Sequence, residues 1–149
     1  MGVYEGGSAK LMEHLCTSFL HLVDSFEGLP KPTVKSDGFP NGSFKVKPDR
    51  FPTFGENVTI HKGWIADLAP QLQFGPVSLA HIDVDHYQSY KDALAVVYPQ
   101  MISGGVLLFD DYGFPRCKGA RTAVDEFFDD KTESPVLLNT KQGIAIRRV

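Results

Sequence analysis

The chain has 149 residues, 42% of them hydrophobic, and its 15 lysines and arginines against 18 aspartates and glutamates give a formal charge of -3. That size and balance describe one globular domain with a real core, and argue against disorder, a second domain and, because the basic residues are scattered, a nucleic-acid or anionic-membrane surface. Two cysteines and the lack of any apolar run near the roughly 20 residues that cross a bilayer exclude a disulfide scaffold and a membrane span. No basic region followed by an apolar stretch opens the chain, so a reducing cytoplasm is the expected compartment.

Glycines at positions 2, 6 and 7 come first. From Ser8 to Phe19, Leu11, Met12, Leu15, Cys16 and Phe19 recur at three- and four-residue spacing, which predicts a one-sided helix. Short apolar runs with the length of buried strands follow at Leu20 to Val23 and Val58 to Ile60. Between them, Pro30 to Pro52 holds five of the ten prolines together with Phe39, Phe44 and Phe51. Such a segment is neither a regular helix nor a central strand, yet its aromatics need burial, so it reads as an ordered lid or wall beside the sheet.

Val77 to Ile82 and Val106 to Phe109 are the next strands, and Tyr87 to Met101 lies between them with Tyr90, Ala93, Leu94, Val97 and Met101 on one helical face. A helix is expected over Ala120 to Phe128. The tail, Val136 to Leu138 and Gly143 to Ile146, reads as two strands around a turn at Asn139 to Gln142. Alternating strands and helices predict a single doubly wound α/β domain over residues 1–149, its mostly parallel sheet covered on both faces and closed by a C-terminal antiparallel hairpin.

Three groups of residues could carry chemistry. The glycines around Val3, Tyr4, Glu5 and Ser8 would let the backbone approach a ligand closely at a helix start, although a plain tight turn needs the same glycines. Asp24, at a strand end about 20 residues after that turn, is placed to meet ribose hydroxyls. The spacing of a pyrophosphate-binding glycine motif is missing, so a ribose-bearing cofactor without pyrophosphate fits better. Finally, Asp83 and Asp85 close one strand and Asp110 and Asp111 another, one crossover apart, so all four should emerge at the same carboxyl edge. Helix capping would explain one or two of them; four converging carboxylates favour a hard divalent cation such as Mg²⁺. His86 beside them reads either as a catalytic or substrate-contacting group or as an ordinary polar neighbour. Trp64 could flank a flat ring or simply pack, His14 and His21 read as surface or partly packed residues, and Cys117 reads as structural.

Several strings together resemble the macrocin O-methyltransferase (TylF-type) family. They are Gly2-Val3-Tyr4-Glu5-Gly6-Gly7-Ser8-Ala9, Asp24-Ser25-Phe26-Glu27-Gly28-Leu29-Pro30, His61-Lys62-Gly63-Trp64, His81-Ile82-Asp83-Val84-Asp85-His86-Tyr87, Gly104-Gly105-Val106 through Asp110-Asp111-Tyr112-Gly113, and Gly119-Ala120-Arg121 with Ala123-Val124-Asp125-Glu126-Phe127. The resemblance implies a class I S-adenosylmethionine-dependent fold and metal-assisted methylation of a hydroxyl, commonly on a sugar of a glycosylated natural product. It places the cofactor's methionine end at the turn containing Gly2, Tyr4, Gly6, Gly7 and Ser8, its ribose at Asp24, and its adenine beside Gly63, Trp64, Ile65 and Asp67. It implies a cation held by Asp83, Asp110 and Asp111, with Asp83 also the proton acceptor and Asp85 behind them.

The family pattern has a strand before the glycine-rich turn, whereas this sequence starts at Met1-Gly2. A sheet lacking most of its first strand is therefore expected, either as a fragment or completed by another chain, a homodimer included. Asp83-Val84-Asp85 is also a D-x-D that a metal-dependent glycosyltransferase could use, and a non-catalytic remnant of the methyltransferase fold is the third reading.

Overall fold

The computed structural model describes residues 1–148. Its elements run α1 (Gly7–Leu15), β1 (Leu20–Asp24), β2 (Val58–Lys62), α2 (Ile65–Leu68), β3 (Val77–Ile82), α3 (Tyr87–Val97), β4 (Met101–Phe109), α4 (Lys118–Phe128), β5 (Val136–Leu137) and β6 (Gly143–Ile146). β1 pairs with β2 and β3 with β4, both parallel, and β4, β6 and β5 continue antiparallel as the expected hairpin. The mixed α/β architecture with parallel pairing is the fold class that the alternation predicts. Among the described residues no helix is long and apolar enough to cross a membrane.

Helix ends differ from the periodicity in two places. α1 stops at Leu15 rather than Phe19, because Cys16 turns extended while its N–H still donates to the Met12 carbonyl. α3 stops at Val97. Pro99 cannot donate to a helical ladder, so a short 3₁₀ turn over Tyr98–Gln100 hands Met101 directly to β4.

The core lies on one face of the β3-β4-β6 sheet. Ala80, Ile82, Leu107, Phe109 and Ala145 point there and meet Tyr90, Ala93, Leu94 and Val97 of α3 and Ala120, Ala123, Val124 and Phe128 of α4. On the opposite face Leu79 and Ile146 are more than half exposed.

β1-β2 and the four-stranded sheet are separate hydrogen-bonded units. At their carboxyl ends the first two residues bridge them: the Gly2 N–H donates to the Val23 carbonyl, the Asp83 N–H to the Met1 carbonyl, and the Met1 nitrogen to the His81 carbonyl, all within 2.7 to 3.0 Å. Residues 30–52 contribute one 3₁₀ turn, Pro48–Arg50, and otherwise run irregularly with their aromatics in edge contacts such as Phe39 with Phe44 and Phe26 with Phe51.

Candidate functional site

A cavity of about 900 Å³ opens at the carboxyl ends of β1, β3 and β4. This is where an open α/β sheet presents the ends of its strands to a ligand. One end is made by main chain. Gly2, with φ of 76°, and Tyr4, with φ of 50°, form its rim together with Val3, and Asp24 holds that turn in place. The Asp24 Oδ2 accepts the N–H groups of Val3 at 2.6 Å and Tyr4 at 2.9 Å, while Oδ1 accepts that of Phe26 at 2.7 Å. Three of its roughly four lone-pair positions are thus engaged by backbone, leaving about one for a ligand hydroxyl. Gly63, Trp64, Ile65 and Asp67 complete this end; Gly6, Gly7 and Ser8 lie behind it, outside the cavity wall. Gly6 serves instead as the left-handed residue that starts α1.

The four acids do meet at one edge, but they divide. Asp83 and Asp110 face each other with His81, their donor atoms all within 4.8 Å, whereas Asp85, Asp111 and Cys117 make a second, more buried group. The division follows from backbone: Asp85 takes a left-handed φ of 56°, which turns its carboxylate away from Asp83 toward Cys117. A D-x-D pair acting jointly on one cation is therefore not what these residues form.

Their electrostatics differ accordingly. Burial, reinforced by Asp111 and Asp110, pushes the Asp83 carboxyl up to about 7; burial and Asp111 push Asp85 to about 7 as well. Burial also raises Asp111, whose Oδ2 accepts the Tyr90 hydroxyl at 3.0 Å and the Asp85 N–H at 2.9 Å. Asp110 moves the other way, held down by its hydrogen bonds to His81 and Gln142. Among the described residues nothing donates a hydrogen bond to the Asp83 carboxylate. A cation beside Asp83 and Asp110 would offset the burial and the neighbouring charges that push the Asp83 carboxyl up, so the oxygen-rich donor set fits a divalent ion.

Phe39, Phe44, Phe114 and Pro115 also line the cavity, Phe44 meeting the Tyr4 ring of the main-chain rim edge-on at 5.7 Å between centroids, and His86 lines it too. His86 is 1% exposed, Nε2 meets the Phe39 carbonyl at 3.0 Å, and Nδ1 is buried without a partner. The sequence could not distinguish this histidine from a polar neighbour. The Phe39 carbonyl that distinguishes it lies 47 residues away.

The family model of macrocin O-methyltransferase (TylF) matches residues 1–147. Similar curated proteins include the 8-demethyl-8-(2,3-dimethoxy-alpha-L-rhamnosyl)-tetracenomycin-C 4'-O-methyltransferase of Streptomyces olivaceus, 26% identical over 80% of this chain and 54% of that protein. The mycinamicin III 3''-O-methyltransferase of Micromonospora griseorubida is 26% identical over 99% of this chain and 66% of its own length. This chain thus spans between half and two thirds of these relatives. Among solved structures, the O-methyltransferase NovP superposes with a TM-score of 0.83 at 24% identity, covering all of this chain and 70% of that one. The calicheamicin methyltransferase CalS11 superposes at 0.77 with 19% identity over 97% of this chain and 69% of its own.

Proposed function

The chain belongs to the macrocin O-methyltransferase (TylF) family, and we propose that it serves S-adenosylmethionine-dependent, divalent-cation-assisted methylation of a hydroxyl on a sugar of a glycosylated natural product. The observation that carries this is the position of Asp83. Its carboxylate, free of protein hydrogen bonds and pushed up to about 7, lines the same cavity as the main-chain turn at Gly2 to Tyr4, close to Asp110 and His81. The names of the curated relatives, which specify sugar positions, support the acceptor class.

When bound, S-adenosylmethionine supplies an electrophilic methyl group and a divalent cation lowers the pKa of the hydroxyl that receives it. The chain supplies positioning and the proton acceptor. Gly2 to Tyr4 and the Asp24 carboxylate offer a rigid main-chain rim for the amino-acid and ribose parts, and Trp64, Ile65 and Asp67 offer a flat, half-polar wall for the base. Asp83 and Asp110 are the residues that would hold the ion, with His81 as a nitrogen donor beside them, while Asp111 stands next to them in the group with Asp85 and Cys117. Asp83 takes the hydroxyl proton on its carboxylate oxygen, which no protein hydrogen bond engages among the described residues. His86 lines the same cavity, and its Nδ1 is buried without a protein partner, so it is the second candidate acceptor. Phe39, Phe44 and Phe114 present an apolar surface to the rest of the acceptor.

Calorimetric titration with S-adenosylhomocysteine and, separately, with a sugar nucleotide plus Mn²⁺ tests the reading. Binding of the first alone is expected. Binding of only the second would establish a glycosyltransferase, and binding of neither a remnant of the fold.

A further inference from the structure

The irregular wall from Pro30 to Phe44 is tied to the rest of the site by one side chain. Asp37 is 8% exposed, although no helix or strand contains it. Its Oδ2 accepts the N–H groups of Thr33 at 3.1 Å and Val34 at 3.3 Å, which folds the wall upon itself. Its Oδ1 accepts the N–H of Tyr87 at 2.9 Å, the first residue of α3 and fifty positions further along the chain. The same stretch reaches α4. Asp37 bridges Cys117, the residue before that helix, the Gly38 N–H donates to the Arg116 carbonyl, and the Gly119 N–H donates to the Ser36 carbonyl. A Cβ placed on Gly119 would overlap the Asp37 Oδ1. That glycine is therefore shaped around the carboxylate.

Two residues beyond Asp37, the Phe39 carbonyl receives His86 Nε2 at 3.0 Å. A carbonyl can only accept, so Nε2 carries a proton toward it, and in the neutral ring Nδ1 is the acceptor nitrogen. The Arg116 guanidinium lies 4.1 Å over the Phe39 ring and returns a hydrogen bond to the Gly38 carbonyl, so Phe39 is clamped on both sides.

We propose that Asp37 is a positioning residue for the aromatic wall of the cavity: by fastening the wall to the starts of α3 and α4 it holds the Phe39 carbonyl against His86 and so fixes that ring, with its unpartnered Nδ1, in one orientation beside the cavity. This rests on the methyltransferase reading for its purpose, but not for its geometry. The requirement is for two acceptor oxygens. Asn at this position offers one oxygen and one N–H, so a donor would face a donor at either Tyr87 or the Thr33-Val34 pair.

The test follows the His86 Nε2–H by nuclear magnetic resonance of the full chain labelled with ¹⁵N-histidine, in the wild type, Asp37→Asn and Gly119→Ala. In the wild type that proton is expected to be observable and slow to exchange. In both variants its exchange should accelerate by about tenfold or more, as a hydrogen bond of ordinary strength is lost, while S-adenosylhomocysteine binding, measured on the same samples, stays within about twofold. A wild-type exchange rate in the folded Asp37→Asn or Gly119→Ala protein overturns the proposal. If both variants unfold, Asp37 serves the whole domain rather than the site, and the proposal falls equally. Absence of S-adenosylhomocysteine binding in the wild type would instead remove the methyltransferase reading and leave the exchange rates to decide the role of Asp37.

Discussion

Gly2 passes so close to Asp83 that a Cβ on the glycine would lie 2.6 Å from the Asp83 carbonyl carbon and would overlap its oxygen. The glycine turn and the acid edge are thus in van der Waals contact through main chain, and no other residue type fits between them. Gly2→Ala adds this overlap to a φ of 76° that alanine resists. It is expected to destabilise by about 1–3 kcal/mol and to abolish S-adenosylhomocysteine binding in calorimetry. Gly7→Ala is the contrast. It lies in α1 with nothing within 4 Å of the new methyl group, so thermal denaturation should show it neutral or stabilised by up to about 1 kcal/mol.

Asp110 and Asp111 are adjacent in sequence but should fail differently. Asp110 stands with His81 and Asp83, so Asp110→Ala is expected to weaken Mg²⁺ binding in calorimetric titration with little change in melting temperature. Asp111 holds the buried Tyr90 hydroxyl and the Asp85 N–H. Asp111→Ala leaves the Asp85 N–H without its acceptor, although the Tyr90 hydroxyl keeps the Ile82 carbonyl at 2.9 Å, and should cost about 1–3 kcal/mol in chemical denaturation besides any loss of ion affinity. Equal behaviour of the two variants in both measurements would contradict the division of the acids into two groups.

Proton linkage gives a third expectation. Asp83 and Asp85 sit near 7 in the folded chain against an ordinary value of 3.8, so between those values the folded state holds more protons than the unfolded one. Stability from these two groups is complete below about pH 4 and is lost as the pH rises through 7. In chelator, then, the melting temperature should fall between pH 5 and pH 8, Asp83→Asn should flatten that fall, and millimolar Mg²⁺ should reduce it. A melting temperature that rises across this interval in chelator would show that the acids are not buried together as described.

If Asp83 accepts the proton, Asp83→Asn should lower kcat/KM by about 10²–10⁴ and leave S-adenosylhomocysteine affinity nearly unchanged. His86→Gln separates the two acceptors. A loss as large as that of Asp83→Asn would place the proton on Nδ1 instead, because Gln keeps much of the ring's volume but has no basic nitrogen.

Much of this was legible in the sequence where the controlling interactions are local. Period 3.6 marks the α3 face, and Tyr90, Ala93, Leu94 and Val97 are all buried as that spacing requires. Runs of apolar residues mark β1 to β4, and the acid pairs at their ends do converge. What sequence could not show depends on distant partners. Asp37 has the composition of a loop residue, and its importance comes from an N–H fifty residues away. Asp24 has the position of a ribose ligand, yet most of its acceptor capacity is used by Val3, Tyr4 and Phe26. The division between Asp83 and Asp85 turns on a single left-handed residue, which neither composition nor period reveals.

The bridge formed by Met1 and Gly2 has a mechanical meaning. β1-β2 carries one part of the cavity and β3-β4 the other, and these two units share no ladder of their own. A ligand lying across the cavity would press on both, acting as a strut where the sheet is thinnest. Occupancy and rigidity would then be one quantity: amide protection in β1 and β3 should rise together on binding.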